Sequence, residues 1–149
     1  LIGVFVESSA EDVRRIADEV GLHRVQLHGV DSSATTQVYG RPVLPVVKAR
    51  SEEDIREIET RAETTFLVDA YNEALHGGTG ETFDWNWLRG IAETKHIILA
   101  GGLNPDNVAD AIRTARPYAV DVASGVESAP GKKDPQLVKR FVSAVQEAD

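Results

Sequence analysis

Residues 96–115 read HIILAGGLNPDNVADAIRTA and contain one complete strand and helix. The short apolar run at its start predicts a buried strand. Asn104 then places a capping side chain directly before Pro105, which predicts a helix beginning at that proline. Gly101 and Gly102 join the two elements. A strand, a glycine turn and a capped helix in this order are typical of α/β proteins.

The same pattern occurs five more times along the 149 residues. The other apolar runs start near residues 2, 24, 43, 65 and 119, and each precedes a candidate helix. Buried strands that alternate with amphipathic helices pair in parallel through right-handed crossovers. We therefore expect an α/β fold of six units forming one domain over residues 1–149. Periodicity alone leaves a doubly wound sheet and a (β/α)8 barrel open.

Composition limits the possible partners. The chain has a net charge of −8, which argues against nucleic acid and anionic membrane surfaces. No apolar run approaches the roughly 20 residues of a membrane span, and no signal peptide is recognisable, so we expect a cytoplasmic protein. The sequence contains no cysteine, which excludes disulfides, thiolate metal sites and a cysteine nucleophile or base from this chain.

Polar residues or glycines follow every predicted strand. They are Glu7, Gln26, His28, Lys48, Arg50, Asp69, Gly101, Gly102, Asp121, Ser124 and Gly125. Parallel α/β folds bind ligands at the carboxyl ends of their strands. Because these residues are spread over many strands, they favour a barrel mouth over the single crevice of an open sheet.

Two consecutive units are typical of a phosphate site. Gly101-Gly102 and Ser124-Gly125 each lie between a predicted strand and a predicted helix, where backbone N–H groups and the helix terminus favour an anion. A tight turn is the alternative interpretation of each glycine loop. The stretch HGGTGETF lacks the lysine of a P-loop, and no GxGxxG motif is present, so nucleotide cofactors are not expected.

Individual residues leave alternatives open. Asp69 ends the apolar run TFLVDA below a glycine-rich loop, where desolvation would raise the pKa of the acid and suit it to proton donation. A structural acid that accepts N–H groups of its own loop is the other interpretation. His28 and Asp121 are equally compatible with structural hydrogen bonding, and Lys48 and Arg50 with solvated surface.

Taken together, the motifs resemble those of the phosphoribosylanthranilate isomerases, (β/α)8-barrel enzymes of tryptophan biosynthesis. The similar segments are GVFV, VQLHG, LVDA, HGGTGETFDW, ILAGGLNPDNV and VDVASGVESAPGKKDP, in the family's order from residue 3 to about residue 145. The resemblance implies an Amadori rearrangement of N-(5-phosphoribosyl)anthranilate, a small phosphorylated sugar substrate, without cofactor or metal.

The resemblance also implies roles for particular residues. Asp69 matches the general acid that protonates the ribose ring oxygen, and His28, Asp121 and Glu127 match pocket positions. The phosphate would bind near Gly101, Gly102, Ser124 and Gly125. Residues Gly77, Gly78, Thr79 and Gly80 would form the flap over the site.

Two departures from the family lead to further expectations. The general-base cysteine of the family and an arginine that binds the anthranilate carboxylate have no match here, and the chain starts at what would be the third strand. Six units, the third to the eighth, leave a truncated barrel with apolar edges at LIGVFV and YAVDVA, which predicts self-association or a distorted barrel.

Two other functions stay open. One is a non-catalytic barrel fragment or scaffold that binds phosphate. The other is a different phosphate-binding barrel, such as a thiamine phosphate synthase or a phosphopentose epimerase. The SGVES loop and the lack of metal-ligand histidines at strand ends argue against the second.

Overall fold

The computed structural model describes residues 1–28, 39–70 and 83–148. Over these residues the chain divides into two compact units, Leu1–Val46 and Val47–Asp149. In this described part no helix has the length and apolarity that crossing a bilayer requires. The predicted short helix over DSSATTQVYG and the predicted flap at residues 77–80 lie outside the described residues.

The first unit contains a parallel sheet and one long helix. Strands β1 (Ile2–Val6), β2 (Arg24–His28) and β3 (Val43–Leu44) lie in this order, and helix α1 (Ala10–Val20) connects the first two. The Ser9 side chain caps α1 by accepting from Asp12 N–H, and Gly21 ends it at φ 71°. A small core forms from Phe5, Val13, Ala17, Leu22, Val25 and Tyr39.

The second unit contains the larger sheet, in the order β4 (Val46–Ala49), β5 (Thr65–Ala70), β6 (His96–Ala100) and β7 (Ala119–Val120). Its helices are α2 (Glu52–Thr60), α3 (Ile91–Thr94), α4 (Val108–Ala115) and α5 (Pro135–Ala148). Two 3₁₀ helices, Trp85–Leu88 and Ser124–Val126, and an antiparallel hairpin of β8 (Glu127–Ala129) and β9 (Lys132–Lys133) complete the described elements.

The core of the second unit lies between one face of the sheet and the helices. It includes Ile55, Ile58, Phe66, Val68, Ile97, Leu99, Val108, Ala111 and Phe141. Because successive residues of a strand point to opposite faces, alternate residues of β5 and β6 contact the helices. The residues between them face the other side of the sheet, and that is the side on which Asp69 lies.

The predicted strand starts are confirmed, whereas several other boundaries differ. The run PVLPVVKA is two strands in two sheets because Pro45 has no N–H to donate to a ladder. The helix predicted over FDWNWLRGIAE is a 3₁₀ helix and a short α-helix separated by Gly90 at φ 87°. The helix predicted from Pro105 begins at Val108, after a turn.

The expected α/β class with parallel pairing is confirmed. The strands of the described residues form separate sheets, and no closed barrel is found among them. The proposed single barrel domain over residues 1–149 stays a prediction.

Candidate functional site

A row of aligned residues crosses the carboxyl ends of three neighbouring strands. Asp69 lies opposite Ala100 in the parallel pair of β5 and β6. Leu99 lies opposite Val120 in the next pair, and Asp121 N–H donates to Leu99 C=O at 2.8 Å, so Asp121 lies beside Ala100. Residues that share a register position share a face of the sheet. Asp69 and Asp121 therefore lie on one face, two strand spacings or about 10 Å apart.

The two acids differ in exposure. Asp69 is half-buried, whereas Asp121 is exposed. Lys48 on the adjacent strand β4 belongs to the same face, because its neighbours Val47 and Ala49 pack against the helix-covered core. This face therefore carries both positive and negative groups at the carboxyl ends of the strands.

Gly101 and Gly102 follow Ala100 in a conformation that glycine favours, with φ values of 84° and 68°. The turn after them is held by two asparagines. Asn107 Nδ2 donates to Gly102 C=O at 3.0 Å and Asn107 Oδ1 accepts from Asn104 N–H at 2.8 Å, while Asn104 Oδ1 accepts from Asp106 N–H at 2.9 Å. The two amide side chains thus bond the backbone N–H and C=O groups of the turn that leads into α4.

The second glycine loop packs directly against the first. A Cβ atom added at Gly125 would overlap the carbonyl oxygen of Leu103 and lie 3.1 Å from Asn104 Cα. Gly125 belongs to the 3₁₀ helix Ser124–Val126. The N–H groups in the first turn of a helix have no acceptor within it, and Ser124 and Gly125 occupy this position in the 3₁₀ helix. The structure therefore brings together the two predicted phosphate loops.

Glu127 lies next to these loops, with only 16% of its side chain exposed. Its carboxylate accepts from Lys133 Nζ at 2.6 Å and from Gly131 N–H at 3.1 Å. These two bonds, with the Lys133 bond the larger cause, lower the pKa of Glu127 below the usual carboxyl range. The acid is ionised at neutral pH and is held within the hairpin.

His28 belongs to the first unit, at the end of β2. Its Nε2 lies 2.9 Å from Gln26 Nε2, and its carbonyl accepts from Glu7 N–H at 3.2 Å. Arg50 N–H donates to Asp54 at 2.9 Å at the start of α2. Sequence reasoning singled out Asn104 only as a helix cap and missed Lys133 and Asn107, which lie in the GKKD and LNPDN motifs.

Comparison with known proteins gives the family. Its sequence profile, described as N-(5'-phosphoribosyl)anthranilate (PRA) isomerase, matches residues 1–144. An N-(5'-phosphoribosyl)anthranilate isomerase of Citrifermentans bemidjiense is 44% identical over 143 residues, which are 96% of this chain and 69% of that protein.

Solved structures agree. The phosphoribosyl anthranilate isomerase of Thermotoga maritima aligns with a TM-score of 0.84 and 36% identity, covering 98% of this chain and 72% of that one. A phosphoribosyl anthranilate isomerase in complex with reduced 1-(o-carboxyphenylamino)-1-deoxyribulose 5-phosphate aligns with a TM-score of 0.79 and 33% identity, covering 98% and 71%. Since the matches extend over nearly all of its length, this chain belongs to the N-(5'-phosphoribosyl)anthranilate isomerase family.

Proposed function

We propose that this chain catalyses the Amadori rearrangement of N-(5'-phosphoribosyl)anthranilate to 1-(o-carboxyphenylamino)-1-deoxyribulose 5-phosphate in tryptophan biosynthesis. Family membership supports the reaction class. The observation that carries the proposal for this chain is the arrangement of Asp69 in register with Ala100, directly before the glycine loop that packs against Gly125. A carboxylic acid and a pair of packed glycine loops thus lie at the same end of one sheet, which supports the proposed roles of proton donor and anion site.

In this proposal the backbone N–H groups near Gly101, Gly102, Ser124 and Gly125 bind the substrate phosphate. Asp69 donates a proton to the ribose ring oxygen, the bond from that oxygen to C1 breaks, and the anthranilate nitrogen forms a Schiff base with C1. A base then removes the C2 proton to give an enolamine, which tautomerises to the ketone. Asp121 and Glu127 contribute to the pocket. No step needs a metal or an organic cofactor.

The group that acts as the base in the second step is not assigned by the resemblance. The sequence has no cysteine, so no thiolate of this chain removes the C2 proton. His28, which matches a pocket position of the family by resemblance, is the candidate for this base, because an imidazole nitrogen can act as a general base. General-base catalysis typically contributes a factor of about 100 to 10,000. We therefore expect these residues alone to bind the substrate but to convert it slowly.

The alternative of a non-catalytic phosphate-binding fragment gains no support from the comparisons. Both functions predict binding of inorganic phosphate and of the reduced product analogue. A turnover assay distinguishes them, because only an isomerase converts the substrate. Binding of both ligands without any turnover above the uncatalysed rate would establish the fragment function.

The first prediction concerns Asp69. The variant Asp69→Asn keeps the shape of the side chain and removes its proton, so we expect kcat to fall about 100-fold or more. The control is Asp110→Asn, because Asp110 is exposed on α4 and its ion pair among the described residues is with Arg113, three positions along the same helix, at 3.1 Å. Steady-state assays of product formation check both variants. Equal turnover of Asp69→Asn and the unsubstituted chain would exclude Asp69 as the acid.

We further propose that the chain self-associates through β1, an edge strand of its sheet. The exposed fractions of Ile2, Val4 and Val6 are 45%, 59% and 65%. The carbonyl of Leu1 and the N–H of Glu7 bond towards β2, so the backbone groups of the even-numbered residues point to the outer edge. An antiparallel pair centred on Val4 would place Ile2 of one copy opposite Val6 of the other.

A further inference from the structure

The ammonium group of Lys133 connects the hairpin to the residue before the second glycine loop. Lys133 Nζ donates to Ala123 C=O at 2.8 Å and to Glu127 Oε1 at 2.6 Å. Gly131 N–H donates to Glu127 Oε2 at 3.1 Å, and Asp134 N–H donates to Val126 C=O at 2.8 Å. Residues 123–134 therefore close on themselves around one lysine side chain.

The bond to Ala123 has a direct consequence for the next N–H group. The carbonyl of Ala123 and the N–H of Ser124 belong to one planar peptide unit, and no cis peptide bond is found in the described residues. In a trans unit the C=O and N–H bonds point in opposite directions. By holding the Ala123 oxygen, Lys133 therefore turns the Ser124 N–H away from its own ammonium group.

The bond to Glu127 has an electrostatic consequence. Glu127 follows Gly125 by two residues, and its lowered pKa keeps it negative at neutral pH. A phosphate monoester carries a charge of about −1.5 to −2 at pH 7. An unpaired carboxylate two residues from the glycine loop would repel a phosphate bound there. The Lys133 ammonium supplies the compensating positive charge, in contact with the carboxylate.

We propose that Lys133 is a positioning residue for substrate phosphate binding, acting through the Ser124 N–H and through the charge of Glu127. The inference rests on the proposed function, since it concerns the same phosphate loop. Lys133 itself need not touch the substrate, because its ammonium is already bonded to Ala123 and Glu127. The expected signature is a weaker affinity for phosphate, seen as a higher KM, with a much smaller change in kcat.

The test compares Lys133→Met with Lys132→Met. Both variants remove one positive charge from adjacent residues, but the Lys132 side chain is exposed and makes no hydrogen bond or ion pair in the described part of the chain. We expect Lys133→Met to weaken binding of inorganic phosphate and of the reduced product analogue about 10-fold or more, as measured by calorimetry. Lys132→Met should bind both ligands as the unsubstituted chain does, and Lys133→Arg should restore most of the affinity.

A double variant separates charge from scaffolding. In Glu127→Gln/Lys133→Met the repulsion is removed, so affinity should recover in part relative to Lys133→Met. A general loss of stability alone predicts no recovery, a lower thermal midpoint and a fall in kcat as large as the rise in KM, and that result would overturn the inference. Equal phosphate affinity of Lys133→Met and the unsubstituted chain would overturn it as well, while leaving the proposed function intact. An unsubstituted chain that binds neither phosphate nor the analogue would contradict the proposed function itself.

Discussion

At the scale of single residues, the candidate site depends on glycines for two different physical reasons. Gly101 and Gly102 have positive φ values, which a side chain disfavours through its own backbone. Gly125 is needed because its Cα lies against Leu103 C=O and leaves no room for a Cβ. The first reason concerns local conformation, and the second concerns contact between two loops that are more than 20 residues apart in sequence.

The second prediction therefore concerns Gly125. We expect Gly125→Ala to move the two loops apart, to abolish binding of inorganic phosphate and to destabilise the fold by about 1–3 kcal/mol. The matched control is Gly21→Ala, where φ is 71° and no atom lies near the added Cβ. It should cost about 1 kcal/mol without changing phosphate affinity. Calorimetry and denaturant unfolding measure the two effects. Unchanged phosphate binding in Gly125→Ala would separate this loop from the phosphate site.

At the scale of elements, helix caps explain why some boundaries follow the predicted pattern and others do not. Asp134 accepts from Gln136 N–H at 2.7 Å, and α5 begins at Pro135, directly after this cap. At the equivalent Asn104-Pro105 pair, Asn107 N–H donates to Asn104 C=O at 3.3 Å and closes a three-residue turn, so α4 begins only at Val108. A local turn therefore precedes the regular helix at this boundary.

The third prediction concerns the capping box of α2. Asp54 N–H donates to Ser51 Oγ at 3.3 Å, and Ser51 N–H donates to Asp54 Oδ2 at 2.9 Å. Ser51→Ala leaves the first-turn N–H without its acceptor and should lower the free energy of unfolding by about 1 kcal/mol. Ser51→Asp keeps an acceptor and should be close to neutral. Urea unfolding checks both. Equal losses in the two variants would show that the cap contributes through packing rather than through this hydrogen bond.

At the scale of the whole molecule, each unit has its own apolar cluster, and β1 of the first unit carries several exposed apolar side chains. Leu1, Ile2, Val4 and Val6 are all between 45% and 69% exposed. A net charge of −8 favours separation of copies, whereas an apolar edge strand favours pairing. The pairing of two edge strands acts at contact distance, whereas the repulsion between net charges acts over a longer range and is screened by salt.

The fourth prediction follows from this balance. We expect the chain to form dimers or larger assemblies in sedimentation velocity at protein concentrations of tens of micromolar, more strongly in high salt because the repulsion is then screened. Val4→Lys should shift it to monomer by placing a like charge opposite itself in the pair. Val142→Lys on α5 is the control, because Val142 is also about half exposed, at 48%, but lies on a helix. A monomeric unsubstituted chain throughout the concentration series would contradict the edge-pairing proposal.

The sequence by itself determined the strand starts, the parallel α/β class and the family, because short-range patterns of apolar residues, caps and glycines encode them. Tertiary structure decided which residues come together. The overlap of Gly125 with Leu103 C=O, the alignment of Asp69 with Ala100 and the three bonds around Lys133 and Glu127 join residues distant in the chain or folded back on it. Periodicity cannot specify such contacts, since they depend on strand register and on the close packing of two loops.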